Sequence, residues 1–201
     1  MRILPLIFLA SLSACANEAS APQAEAPALL ALAPQAPDPA LGPSIYDLKV
    51  DLHDQNGQPH GLDIHAGHPT LVSMFYGSCK AACPLLISDL KRVEAQALEA
   101  GHSELRVLMV SFDPDRDTPQ VMAGLVQDHE LDGTRWRLSA PRSGDARSLG
   151  AVLNVSFRDV GNGMFQHDSV LILLNSEGQE LARLDGLNQD PSPLLEALDA
   201  P

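Results

Sequence analysis

The sequence predicts one α/β domain, a central mixed sheet flanked by helices and opened by an N-terminal β-hairpin, preceded by a segment that cannot fold. Two observations carry the domain. Near-continuous apolar runs at Thr70–Phe75 and Leu105–Phe112 have the length and composition of buried strands, and each is followed by a stretch with helical spacing or a helix-start signal. The third observation is compositional: from Ala16 to Pro43 the chain is mostly Ala and Pro with no aromatic or β-branched residue, too little to build a core.

The elements follow in order. Ile45 to His53 and Gly61 to His65 flank Asp54-Gln55-Asn56-Gly57, and Asn-Gly between alternating segments predicts a hairpin. Thr70 to Tyr76 is the first buried strand. From about Cys83 to Ala100, Leu86, Leu90, Val93 and Ala97 fall on one helical stripe that Gly101 stops. Leu105 to Phe112 is a central strand. Thr118 then caps, and Pro119 opens, a helix running to about Glu130. Trp136 and Leu138 mark a short strand, and Asp145 to Leu153 a third helix. Val155 to Arg158 and Gln166 to Asn175 read as strands, Ser176-Glu177-Gly178 turns the chain into Glu180 to Leu184, and a last helix begins after Pro191. Strands alternating with helices, closed by a hairpin and a helix, make an α/β sandwich around one sheet.

Residues 1–14 read as a secretion signal. Arg2 is their lone charge, and the apolar core Ile3 to Ala10 is too short to span a bilayer. Leu12-Ser13-Ala14-Cys15 resembles the bacterial lipoprotein box, which implies cleavage before Cys15 and lipidation of its sulfur. That places the protein in the bacterial cell envelope, lipid-anchored and facing the oxidising periplasm. Residues 15–43 would then be a lipidated leash reaching roughly 85 Å in polyproline form, and 44–201 the folded domain. The formal charge of −13 becomes −14 once Arg2 is removed. Such an acidic balance argues against nucleic acid and anionic membrane surfaces and favours a basic or metal-bearing partner.

The chemistry concentrates at three places. Tyr76-Gly77-Ser78-Cys79-Lys80-Ala81-Ala82-Cys83-Pro84 follows a strand and leads into a helix. On a helical first turn, positions four apart share a face, so the two sulfurs can approach one another or one soft metal ion. A helix N-terminus there favours the thiolate. An inert structural disulfide is the plain alternative. Ser111-Phe112-Asp113-Pro114-Asp115-Arg116-Asp117-Thr118-Pro119 leaves the next strand at the same edge of the sheet; Thr118 and Pro119 are structural, while Asp113 and Asp117 are divided between structure and charge tuning. Third is His167, in Met164-Phe165-Gln166-His167-Asp168-Ser169-Val170. Two thiolates and one imidazole suit copper, whereas a structural zinc site takes four protein ligands.

Taken together, CxxxCP, DPxRDTP and the histidine before the last hairpin resemble the Sco/SenC family of copper-binding, thioredoxin-like proteins, over essentially the whole globular part. The resemblance implies a thioredoxin-like fold and copper, as Cu(I) or Cu(II), held by Cys79, Cys83 and His167. It also implies a partner such as a cytochrome c oxidase subunit, whose binuclear copper site the family helps to mature by delivering copper or by reducing the target's cysteines. Lys80 stands where the family commonly has proline, and Asp168 separates His167 from the serine that usually follows it. An ordinary thioredoxin-type oxidoreductase would face its dithiol with a proline, and none occurs between Pro141 and Pro191. The two functions to weigh are therefore a metallochaperone and a thiol-disulfide reductase whose redox pair is Cys79 and Cys83. His53, His60, His65 and His68 cluster in sequence as a candidate secondary metal patch, with exposed histidines as the alternative. Met164 reads as core or loop filler, with a thioether ligand as the alternative.

Overall fold

The computed structural model describes residues 37–142 and 144–200. The expected signal segment, Cys15 and the leash as far as residue 36 lie outside the described residues.

Among the described residues, nine strands and four α-helices follow in the order β1 (Leu52–Asp54), β2 (Pro59–His60), β3 (Thr70–Phe75), α1 (Ala82–Glu99), β4 (Arg106–Ser111), α2 (Pro119–Asp128), β5 (Trp136–Pro141), α3 (Ala146–Val152), β6 (Phe157–Gly161), β7 (Met164–His167), β8 (Val170–Leu174), β9 (Glu180–Asp185) and α4 (Ser192–Asp199). Seven of the strands form one mixed sheet in the order β2-β1-β5-β4-β3-β8-β9. Its centre is parallel, β3 with β4 and β4 with β5, because α1 and α2 make the crossovers that parallel neighbours need. The flanks β1, β8 and β9 run antiparallel.

Burial explains why β3 reads as an unbroken apolar run. All six of its residues are buried, as are the last five of β4, since the central strands are covered on both faces. The polar Ser73 in the middle of β3 is tolerated because its hydroxyl donates to the carbonyl of Val170 at 2.6 Å. Helix α1 seals one face with the predicted stripe of Leu86, Leu90, Val93 and Ala97. Trp136, also buried, donates its indole N–H to Glu94 of that helix at 2.9 Å. Thr118 caps α2 as its sequence predicts, its side chain accepting from Val121 N.

Two expectations change. The opening hairpin is shorter than the sequence predicts. Ile45–Asp47 and Leu62–His65 are single 3-10 turns, and strand pairing is confined to Leu52–Asp54 against β2 and β5. The local reason is chain-capping chemistry. Ser44 accepts from Tyr46 N, and the buried Asp54 carboxylate takes the amides of Asn56 and Gln58, both at 2.8 Å, which closes the turn early. The second change bears on the site. Gln166 to Asn175 is two strands, interrupted at Asp168-Ser169, so that β7 pairs with β6 in a separate two-stranded sheet while β8 joins the main one. Asn162 and Gly163, with φ of 54° and 72°, turn the chain between them.

Contacts also reach upstream of Ser44. Gln179, 1 % exposed, accepts the amide of Asp38 at 2.8 Å and donates to the carbonyls of Asp38 and Gly42 at 2.6 and 2.7 Å. Residues 38–42 are thereby strapped across the turn that links β8 to β9.

Candidate metal centre

The site stands where β3 and β4 deliver their carboxyl ends. Helix α1 begins only at Ala82, so Cys79 precedes it; the two cysteines do not share a helical face as the spacing predicts. Pro84 sets this limit, since its ring clashes with a helical carbonyl four residues earlier, at Lys80. Convergence is achieved differently. The Cys79 sulfur accepts the backbone N–H of Cys83 at 3.3 Å, doing the work of a helix cap, while Cys79 N donates to the carbonyl of Tyr76. The Cys83 thiol points back and donates to that same carbonyl at 3.4 Å.

His167 ends β7. One ligand atom each from Cys79, Cys83 and His167 lies within 4.8 Å of the other two, and this is the one such group of histidine, cysteine and carboxylate side chains among the described residues. The imidazole Nδ1 is 2.8 Å from the carbonyl of Asp168. A carbonyl only accepts, so Nδ1 carries the proton and Nε2 is left with its lone pair. Asp168 therefore orients the ring through its backbone, and its carboxylate accepts the amide of Ser156 at 2.9 Å.

The two thiols differ electrostatically. Burial works against ionising Cys79, which is half-buried, but the amides of Cys83 and Ala81 and the side chains of Cys83 and Tyr76 outweigh it and hold the thiol below its usual range. Burial pushes the Cys83 thiol up to about 12, with the bond to the Tyr76 carbonyl opposing and the neighbouring Cys79 reinforcing.

Asp113 and Asp117 are both buried and have separate duties. Asp113 accepts Arg116 Nε at 2.6 Å. Asp117 takes the amide of Gly77 and the hydroxyl of Ser111, so burial raises its pKa while those two bonds pull it down. Lys80 is exposed. Met164 is 55 % exposed at the start of β7, beside the turn and outside the core.

Sequence reasoning missed the aromatic bed beneath His167. Phe112 lies 5.0 Å, ring to ring, from His167, and within 5.2 Å of Tyr76, Phe157 and Phe165. Tyr76 meets the imidazole edge-on at 5.6 Å. The alternation of Phe157, Phe165 and His167 about the Asn162-Gly163 turn is the signal that exposes this hairpin. The histidines around the first hairpin form no such group among the described residues: His60 is engaged by the Gly61 carbonyl and the Ser139 hydroxyl, and His65 is buried. Among the described residues, no helix is long and apolar enough to cross a membrane.

The family model for SCO1/SenC matches residues 41–200. A "Putative copper-binding protein" of Stutzerimonas stutzeri is 29 % identical over 72 residues, 36 % of this chain and 35 % of that one, so the match spans about a third of that relative's length. Yeast Sco1 with copper bound superposes with a TM-score of 0.63 at 20 % identity, covering 78 % of this chain and 87 % of the yeast chain. BsSco, described as a member of the Sco family of cytochrome c oxidase assembly proteins and studied for a disulfide switch, superposes with a TM-score of 0.64 at 16 % identity, covering 74 % and 88 %. At these identities the superpositions establish the thioredoxin-like fold. With the family model extending over nearly all of the described residues, the chain belongs to the SCO1/SenC family.

Proposed function

We propose that this protein is a copper-binding assembly factor: Cys79, Cys83 and His167 hold copper, which is cargo for the copper centre of a partner, the binuclear site of cytochrome c oxidase being the family's known target. The observation that carries the reading is the convergence of two sulfurs and one imidazole nitrogen within 4.8 Å. Two soft donors and a borderline one, with no fourth in the group, match the low coordination number that Cu(I) accepts and fall short of a structural zinc site. The relative named for copper binding and the copper-bound yeast structure point the same way. Asp113 and Asp117 would serve from behind, steadying the loops that carry the ligands. Lipidation of Cys15, a leash from there to the strapped residues 38–42 and a periplasmic address complete the proposal, resting on the Leu12-Ser13-Ala14-Cys15 box.

Copper content of the purified reduced protein tests it, wild type against Cys79→Ser, Cys83→Ser and His167→Ala. Each variant should lose most of its copper. Unchanged stoichiometry and affinity in His167→Ala would refute the three-ligand site.

A second reading, a thiol-disulfide reductase acting on the cysteines of a copper protein, draws on one observation: one thiol is held below its usual range while its neighbour is pushed to about 12. That is the asymmetry of an attacking and a resolving thiol. His167→Ala separates the two, because a reductase would keep its activity in that variant and a copper carrier would not.

A further inference from the structure

The β6–β7 hairpin carries His167 yet shares no ladder with the main sheet. Its tip meets the dithiol loop through a long bond, from the Ser78 hydroxyl to the Gly163 carbonyl at 3.4 Å, while Phe165 and His167 pack on the Tyr76 ring. Beside that tip stands Arg116. Its Nε is fixed by the buried carboxylate of Asp113 at 2.6 Å, and its guanidinium lies over the Phe165 ring, 5.7 Å from the centroid. It also packs against Gly163, where a Cβ would come 3.5 Å from both Cζ and Nη1. The next residue, Asp117, grips the amide of Gly77 at 2.9 and 3.0 Å, two positions before Cys79. One short loop therefore touches both halves of the ligand set: Asp117 takes the thiol side, and Arg116 takes the histidine side.

We propose that Arg116 is a positioning residue for His167, bracing the β6–β7 hairpin so that the imidazole stays within reach of the two sulfurs; its effect on copper rests on the copper-site reading above, while the brace itself is a property of the metal-free fold. The planar guanidinium is what the role requires, since it can cover an aromatic face and a glycine backbone while its edge is held by a carboxylate. Lysine would keep the charge beside Asp113 and lose the flat contact.

The test compares wild type, Arg116→Met and Arg116→Lys by two readouts. The first is backbone amide exchange in the reduced, metal-free protein. Residues 157–167 should exchange about tenfold faster in both variants, with α1 unchanged. The second is Cu(I) affinity in competition with a chromogenic chelator, together with the histidine nitrogen coupling of the Cu(II) form. Affinity should fall roughly tenfold in both variants and the nitrogen coupling should weaken, while the potential of the dithiol stays at the wild-type value. Hairpin exchange unchanged in Arg116→Met would overturn the proposal, as would a rise spread evenly over the whole domain, which would mark a general loss of stability. Full recovery of both readouts by Arg116→Lys would also overturn it, because charge alone would then suffice. A wild type that binds no copper would sink the copper reading, and the exchange data would still decide the brace.

Discussion

Both carboxylate oxygens of Asp117 face the backbone N–H of Gly77, at 2.9 and 3.0 Å, across a gap that has no room for a side chain. A Cβ on Gly77 would sit 2.6 Å from Asp117 Oδ1 and 2.9 Å from Val121 Cγ1. The elbow that carries the dithiol is thus pinned to the start of α2 by a contact that only glycine permits.

Gly77→Ala should force Asp117 or the elbow aside. The cost expected is about 1–3 kcal/mol of stability in urea unfolding, together with weaker copper binding. Wild-type values for both would show that the contact is slack.

The two thiols should be told apart by alkylation. With metal absent and the protein reduced, a small alkylating agent near neutral pH should label Cys79 well before Cys83, because the first is half-exposed and held below its usual range while the second is buried and raised to about 12. Copper should protect both. Mass spectrometry of the partly labelled protein reads the order, and equal labelling would contradict it.

Acid should weaken the fold through His65, which lies among the core elements with Nε2 unpartnered. Burial, followed by the charge of Arg137, lowers its pKa to about 4 against the modest opposing bond from Val107; Arg106 and His68 add to the lowering. The unfolded chain takes up the proton near 6.5, so this stability is fully present above that value and drains away as the pH falls towards about 4. The loss should approach about 3 kcal/mol. His65→Leu should flatten that limb of the pH–stability curve, and an unchanged slope would locate the acid sensitivity elsewhere.

Gln179→Ala should release the strap over residues 38–42. It removes a buried amide whose partners, the backbone of Asp38 and Gly42, are left with water or nothing. About 1–3 kcal/mol should be lost, and limited proteolysis should now cut within 38–43. Resistance equal to that of wild type would mean the strap is held by other contacts.

How much of this was legible in the sequence follows the range of the interactions. The stripe of α1, the cap at Thr118 and the buried run of β4 are local patterns, and they are where the sequence places them. The β6–β7 hairpin was obscured because the break at Asp168-Ser169 contains neither glycine nor proline. The Asn162-Gly163 turn that announces it is blurred by one further glycine, Gly161, where the strand register shifts. Phe112 and Arg116 could not be assigned to the histidine side, since their partners are about 50 residues downstream and on another sheet. The clamp by Gln179 spans 141 positions, which no periodicity can report.

That clamp gives the domain a polarity. Strand β8 runs antiparallel to β3, so Leu174 pairs with Thr70 at the beginning of β3, and the sulfurs follow its other end at Phe75. The five steps from Thr70 to Phe75 put about 17 Å between the two levels. Asp38, held by Gln179 beyond the end of β8, therefore sits at the end of the sheet remote from the cysteines, and the thiols occupy the opposite rim.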